Sequence, residues 1–230
     1  MLDTSYRNAR LRVAAVAAGL DETQLLTPVP ATPGWTVHDL LAHLVGGAAD
    51  GASGRLDGAG GARWTARHVA ERQQDSVESL LAEWERVAPV VEVNLAGQQF
   101  TGPNLAADLI CHEADLSEAL GLPPVDRAHW HQPFLTVMMR LLVHRLKPLT
   151  SALLRDEQGN EWHCGSEQPA LTLDADGYEL FRAMFSRRSR RQIAAWNWMP
   201  APGQQVVESF GFFGPRDDDQ PLPRTRGNAP

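Results

Sequence analysis

The sequence predicts a mixed class, α with α/β: an N-terminal four-helix bundle over residues 1–121, followed by a small α+β domain over 126–213. Three observations predict it. Helical periodicity recurs in four stretches before residue 121. A proline-rich polar run, LPPVDRAHWHQP at 122–133, reads as an interdomain linker. After it the pattern changes to one helix and several short strand-like runs separated by turn signals.

The first helix is 3–20, capped by Asp3 or Thr4, with Leu11, Ala14, Ala15 and Leu20 facing a core. TPVPATPGW at 27–35 is a rigid loop, and Trp35 anchors it. Thr36 caps a second helix, TVHDLLAHLVG, with Asp39 supplying negative charge to its first turn. Residues 46–61 hold seven glycines and four alanines and read as a flexible connection. Residues 64–96 return to helical periodicity, and Pro89 is expected to bend or end that helix. Asn104 caps a last bundle helix, NLAADLICHEADLSEALG, and Gly121 ends it.

In the second domain, Phe134–Leu146 is a helix. Leu149–Arg155, Glu161–Cys164 and Leu171–Leu173 are strands, and Val206–Phe213 is a possible last one. Gly177–Phe185 and a segment capped by Ser189 are helices. Residues 214–230 carry little apolar content and are expected to form a disordered tail.

A length of 230 residues suffices for two cores, and 43% hydrophobic with 21% charged residues is a globular composition. The formal charge of -7 argues against a nucleic-acid surface. No apolar run reaches membrane-spanning length, and Leu11–Leu20 suits an amphipathic helix better than a signal peptide. With Cys111 and Cys164 alone there is no disulfide framework, so a cytoplasmic location is expected.

The chemistry concentrates on the last bundle helix. Asp108, His112 and Asp115 stand at i, i+4 and i+7 and share a face with part of the apolar stripe. A bound cation is one partner for that set; a core histidine satisfied by Asp108, or a solvated face, is the other reading. His43, between Leu40 and Leu44, is likewise a core histidine or a ligand. Asp115 is an acceptor for a ligand histidine or a solvated partner for arginine. Cys111 lies about 100° round the helix from His112 and reads as core. His38, His68, His129, His131, His144 and His163 have no spacing that recommends them. The arginines at 187, 188, 190 and 191 hold a carboxylate, or form a solvated helix start.

PGWTVHDLLAHLVG and DLICHEADLSEALG together resemble two motifs of the mycothiol-dependent maleylpyruvate isomerase family. FSRRSRRQIAAWNW resembles that family's late arginine-rich segment. The resemblance implies a DinB-like four-helix bundle followed by a sterol-carrier-protein-like domain. It also implies a divalent metal, typically zinc, on His43, Asp108 and His112, in a mycothiol-using enzyme of actinobacterial type. It places a site role on Arg188 first and Arg187 second. Two positions depart from the family pattern. Asp108 stands where glutamate is frequent, and Ser186 stands where glycine precedes the arginines.

Two imidazoles and one carboxylate leave a coordination position open, as in catalytic rather than structural zinc sites. A small thiol bound there loses its proton more readily and attacks a small electrophile. Addition to a cis-alkene conjugated to a carbonyl, bond rotation and elimination give isomerisation; a substrate with a leaving group gives S-transfer. The competing expectation is a non-catalytic metal- or ligand-binding or regulatory member of the same fold.

Overall fold

A computed structural model describes residues 1–221 of the chain. It is helical, with a small four-stranded sheet towards the C-terminus, an α+β architecture. The chain divides into two compact units, Met1–Val125 and Asp126–Pro221.

Four long helices form the first unit: α1 (Leu2–Ala17), α3 (Val37–Ser53), α5 (Val77–Leu95) and α6 (Leu105–Leu120). α1 packs on α5 and α6, and α3 packs on the same two, which closes the ring of a four-helix bundle. The short α2 (Glu22–Leu25) precedes the proline-rich loop, and α4 (Ala62–Arg72) lies against α3. Tyr6, Val13, Leu40, Leu41, Leu80, Trp84, Leu109 and Ile110 fill the core. Trp84 donates its indole N–H to the Tyr6 hydroxyl at 2.9 Å, which satisfies a polar atom buried between α1 and α5.

The expected loop at 46–61 is corrected over 46–53, while 54–61 does connect α3 to α4. α3 runs on through Ser53 and ends at Gly54, whose φ of 75° is the left-handed C-cap. The small residues serve close approach rather than flexibility. A Cβ on Gly46 would lie 2.5 Å from Cβ and Cγ of His68 on α4. The segment at 64–96 is two helices rather than one. Ser76 separates them by accepting the Ser79 N–H at 3.1 Å. Pro89 neither ends nor breaks α5. The buried stripe Leu80, Trp84, Ala88, Val91 and Leu95 continues past it and offsets the roughly 3 kcal/mol that an interior proline costs.

In the second unit, α7 (Arg127–Trp130), a π-helical turn (His131–Leu135) and α8 (Thr136–Leu146) precede the sheet. Most of the stretch read as a linker is therefore structured from Asp126, whose carboxylate caps α7. The strands are β1 (Ala152–Asp156), β2 (Glu161–Cys164), β3 (Leu171–Ala175) and β4 (Asn197–Met199), in the order β2-β1-β3-β4. β1 pairs antiparallel with β2 and parallel with β3, and β4 closes the far edge antiparallel to β3. α9 (Gly177–Met184), α10 (Arg190–Ala194) and α11 (Gln204–Glu208) complete the unit.

The last strand is not the one expected at Val206–Phe213. Val206 and Val207 are adjacent and both buried, which suits the helical turn of α11 better than a one-sided strand. Phe210 follows them and packs edge-on against Trp196 and Trp198. The disordered tail expected from 214 is a further correction. The Arg216 N–H bonds to the Arg188 carbonyl at 3.0 Å, and Gln220 is buried against Gln192. The rest of that expected tail, 222–230, lies outside the described residues. Among the described residues no helix is long and apolar enough to cross a membrane.

Candidate metal centre

Two capped helices carry the centre. Thr36 starts α3 with a capping box: its hydroxyl accepts the Asp39 N–H, and Asp39 accepts the Thr36 N–H at 2.8 Å. His43 follows two turns later and is almost wholly buried. Asn104 starts α6 by accepting the N–H groups of Ala106 and Ala107. Asp108 and His112 follow one turn apart on one face.

The structure brings His43, Asp108 and His112 together, one ligand atom of each lying within 4.8 Å of the others. His43 Nε2 is 3.2 Å from one Asp108 oxygen, and His112 Nε2 is 3.5 Å from the other. The two imidazoles meet edge to face, 5.1 Å apart. Both histidines are buried, while the Asp108 side chain keeps 37% exposure and forms the open side of the cluster. Trp35, anchored by hydrogen bonds within its loop, lies 4.9 Å from the His43 ring and stacks at 6.1 Å on His112. Trp64 meets His43 edge-on.

Each histidine is gripped from behind. Nδ1 of His112 lies 2.9 Å from the buried Asp115 carboxylate, close in distance though off the line of an ideal hydrogen bond. Nδ1 of His43 lies 3.3 Å from Nδ1 of His68, and Nε2 of His68 bonds to Asp50 at 2.9 Å. Asp50 is fully buried and ion-paired with Arg55 and Arg67.

The electrostatics follow from this packing. Burial opposes a charge on His112, but the Asp108 carboxylate, with help from Asp115, outweighs it and pushes the ring up to about 9. Burial also opposes charge on Asp108, yet the two imidazoles hold it well below the usual carboxylate range. His68 is shifted the other way, its burial holding it below an ordinary histidine. Asp50 is lowered to about 2, because Arg67, His68 and Arg55 outweigh its desolvation.

This donor set fits a divalent cation. Two imidazole nitrogens and a carboxylate oxygen converge, and a carboxylate has no hydrogen to give either ring. A proton or a metal ion must fill the space between them. The ligand types suit zinc and several other divalent metals, and three protein ligands leave a position open.

The other residues singled out in the sequence sit elsewhere. Asp115 is an outer partner of His112, and Cys111 is buried outside the ligand set. Arg187 and Arg188 belong to the second unit. Arg188 is fully buried and holds Glu179 with two bonds of 2.7 Å, while Arg187 is half-buried and donates to the Phe185 carbonyl. Ser186, where the family pattern has glycine, takes a φ of 60°, the left-handed region that glycine favours. His68 and Asp50 are the residues that sequence reasoning missed. The available signal was the spacing of His43, Gly46 and Asp50 at i, i+3 and i+7, visible once α3 is allowed to continue through the glycines.

Fold and site together define a helical-bundle protein with a His-Asp-His centre, joined to an α+β unit. Residues 6–147 match the family model described as the mycothiol maleylpyruvate isomerase N-terminal domain, and the chain belongs to that family. Two similar solved structures are the mycothiol-dependent maleylpyruvate isomerase and a histidine-to-alanine mutant of it, with TM-scores of 0.51 and 0.50. Each is 12% identical, over 81% of this chain and 88% of the other. No protein of curated function matches the sequence.

Proposed function

We propose that this chain is a metal-dependent, thiol-using enzyme, an isomerase or S-transferase with mycothiol as its cosubstrate. The convergence of His43, Asp108 and His112 on one small space carries the reading. Family membership supports the choice of thiol. Those three residues hold the ion, proposed to be zinc, and Asp108 forms the side open to ligands. Held by these residues, a divalent ion would lower the proton affinity of a bound thiol and make its sulfur nucleophilic at neutral pH.

The protein's own groups do the rest. Asp115 holds the His112 ring with Nε2 turned towards Asp108. Trp35 and Trp64 wall the histidines and keep bulk water off them. Addition of the thiol to a cis-alkene conjugated to a carbonyl, rotation and elimination isomerise the substrate and return the thiol. An electrophile with a leaving group keeps the sulfur instead. In the second unit, Arg187 and Arg188 are the proposed carboxylate-binding residues. Both already hold groups of the protein, Arg188 the Glu179 carboxylate and Arg187 the Phe185 carbonyl.

The test is elemental analysis of chelator-free protein beside His43→Ala and His112→Ala. About one metal per chain in the wild type and little in either variant is expected. Failure of the wild type to take up zinc offered in excess would sink the reading and leave a non-catalytic bundle.

A further inference from the structure

Behind His43 lies a buried polar chain that the three-residue centre does not need for coordination. Asp50 sits one helical repeat beyond His43 on α3, with no exposed side-chain surface. His68 reaches in from α4 and is equally buried. The small residue Gly46, on the same face between His43 and Asp50, makes room for it. A polar residue pair buried this deeply is costly unless each hydrogen finds an acceptor.

The hydrogens can be placed by elimination. The Asp50 carboxylate only accepts, so Nε2 of His68 must donate to it. Asp50 already faces two guanidinium groups, Arg55 and Arg67, so its charge is matched without a third cation and His68 serves as a neutral ring. A neutral ring with its hydrogen on Nε2 presents a lone pair at Nδ1. That lone pair faces Nδ1 of His43 at 3.3 Å, so His43 must be the donor there. With a cation between His43 and Asp108, in place of the hydrogen that the carboxylate would otherwise accept from Nε2 at 3.2 Å, the remaining lone pair of His43 is then on Nε2.

We propose that Asp50 and His68 are positioning residues that fix the tautomer of His43, so that its Nε2 lone pair is presented beside Asp108 and His112. The inference rests on the reading of those three residues as metal ligands. It makes the centre asymmetric: His112 is backed by a carboxylate, His43 by a neutral imidazole that passes the pull of Asp50 through one more ring.

Zinc affinity, measured by chelator competition on the full chain, tests it with His68→Leu and His68→Gln. His68→Leu keeps the apolar bulk but removes the acceptor, and zinc binding should weaken about 10- to 100-fold at unchanged stoichiometry. His68→Gln keeps an acceptor for His43 and a donor for Asp50, and should recover most of the loss. In nitrogen-15 spectra of the zinc-loaded wild type, His43 should carry its proton on Nδ1 and His68 on Nε2. A folded His68→Leu binding zinc within about threefold of wild type would overturn the inference and leave the metal reading standing. So would zinc on Nδ1 of His43, a result that needs no variant. A wild type that binds no zinc would overturn both.

Discussion

Replacing Gly46 by alanine should destabilise the protein although it removes a glycine from the interior of a helix. In an open helix position the exchange gains about 1 kcal/mol. Here the new Cβ would sit 2.5 Å from Cβ and Cγ of His68 and 2.8 Å from Cδ2, atoms near the backbone of α4 that cannot swing aside. Overpacking of this kind costs about 1–3 kcal/mol. The net expectation is a loss of about 1 kcal/mol. Gly47→Ala, one residue on, is the control. Its Cβ would meet Trp64 and Leu105 at 3.5 and 3.6 Å, ordinary contact distances, so the helix-propensity gain survives and stability should rise by up to about 1 kcal/mol. Urea unfolding of the metal-free proteins, followed by tryptophan fluorescence, measures the difference of about 2 kcal/mol between them. Gly46→Ala as stable as Gly47→Ala would refute the argument that these glycines exist for helix contact.

Three further outcomes are expected. The raised His112 ring adds stability to the metal-free protein that is complete below about pH 6.5 and is lost as the pH rises through about 9, so zinc binding at pH 7 should release close to one proton; calorimetry in two buffers of different ionisation enthalpy counts it. Asp50, depressed to about 2, contributes stability that is present above its unfolded value near 4 and lost as the pH falls through 2; Asp50→Asn should flatten the acid limb of the urea-unfolding free energy by about 2 kcal/mol, while lowering stability at neutral pH by weakening the bonds from Arg67, His68 and Arg55. Thr36→Ala removes the hydroxyl that caps α3 and should cost about 1 kcal/mol in thermal or urea unfolding, with zinc stoichiometry intact.

The three converging residues were legible because each stands inside a strongly periodic helix. Asp108 and His112 share a face by their four-residue spacing, and His43 is flanked by buried leucines. His68 was not legible. Its helix, ARWTARHVAER, is polar on most sides, and a histidine there looks solvated until α4 is laid against α3. Asp50 was hidden by composition: seven glycines in sixteen residues suggest a loop, whereas several of them are the thin face of a helix that another helix covers. The same blind spot explains the last strand. Val206–Phe213 has strand-like composition, but the neighbouring tryptophans decide how its apolar groups are buried.

The placement of charge around the centre distinguishes its two histidines. On α6, spacings of minus four and plus three bring Asp108 and Asp115 to opposite ends of the His112 ring, so one short helical stretch builds both a proposed ligand and its backing acceptor. Carboxylates at both ends make that ring hold a proton tightly when no metal is present, and make it a strong electron donor when one is. His43 shares Asp108 at its Nε2 end, but the carboxylate behind its Nδ1, Asp50, stands one ring further away and is already neutralised by two arginines. An arriving cation therefore has to displace the proton that His112 holds.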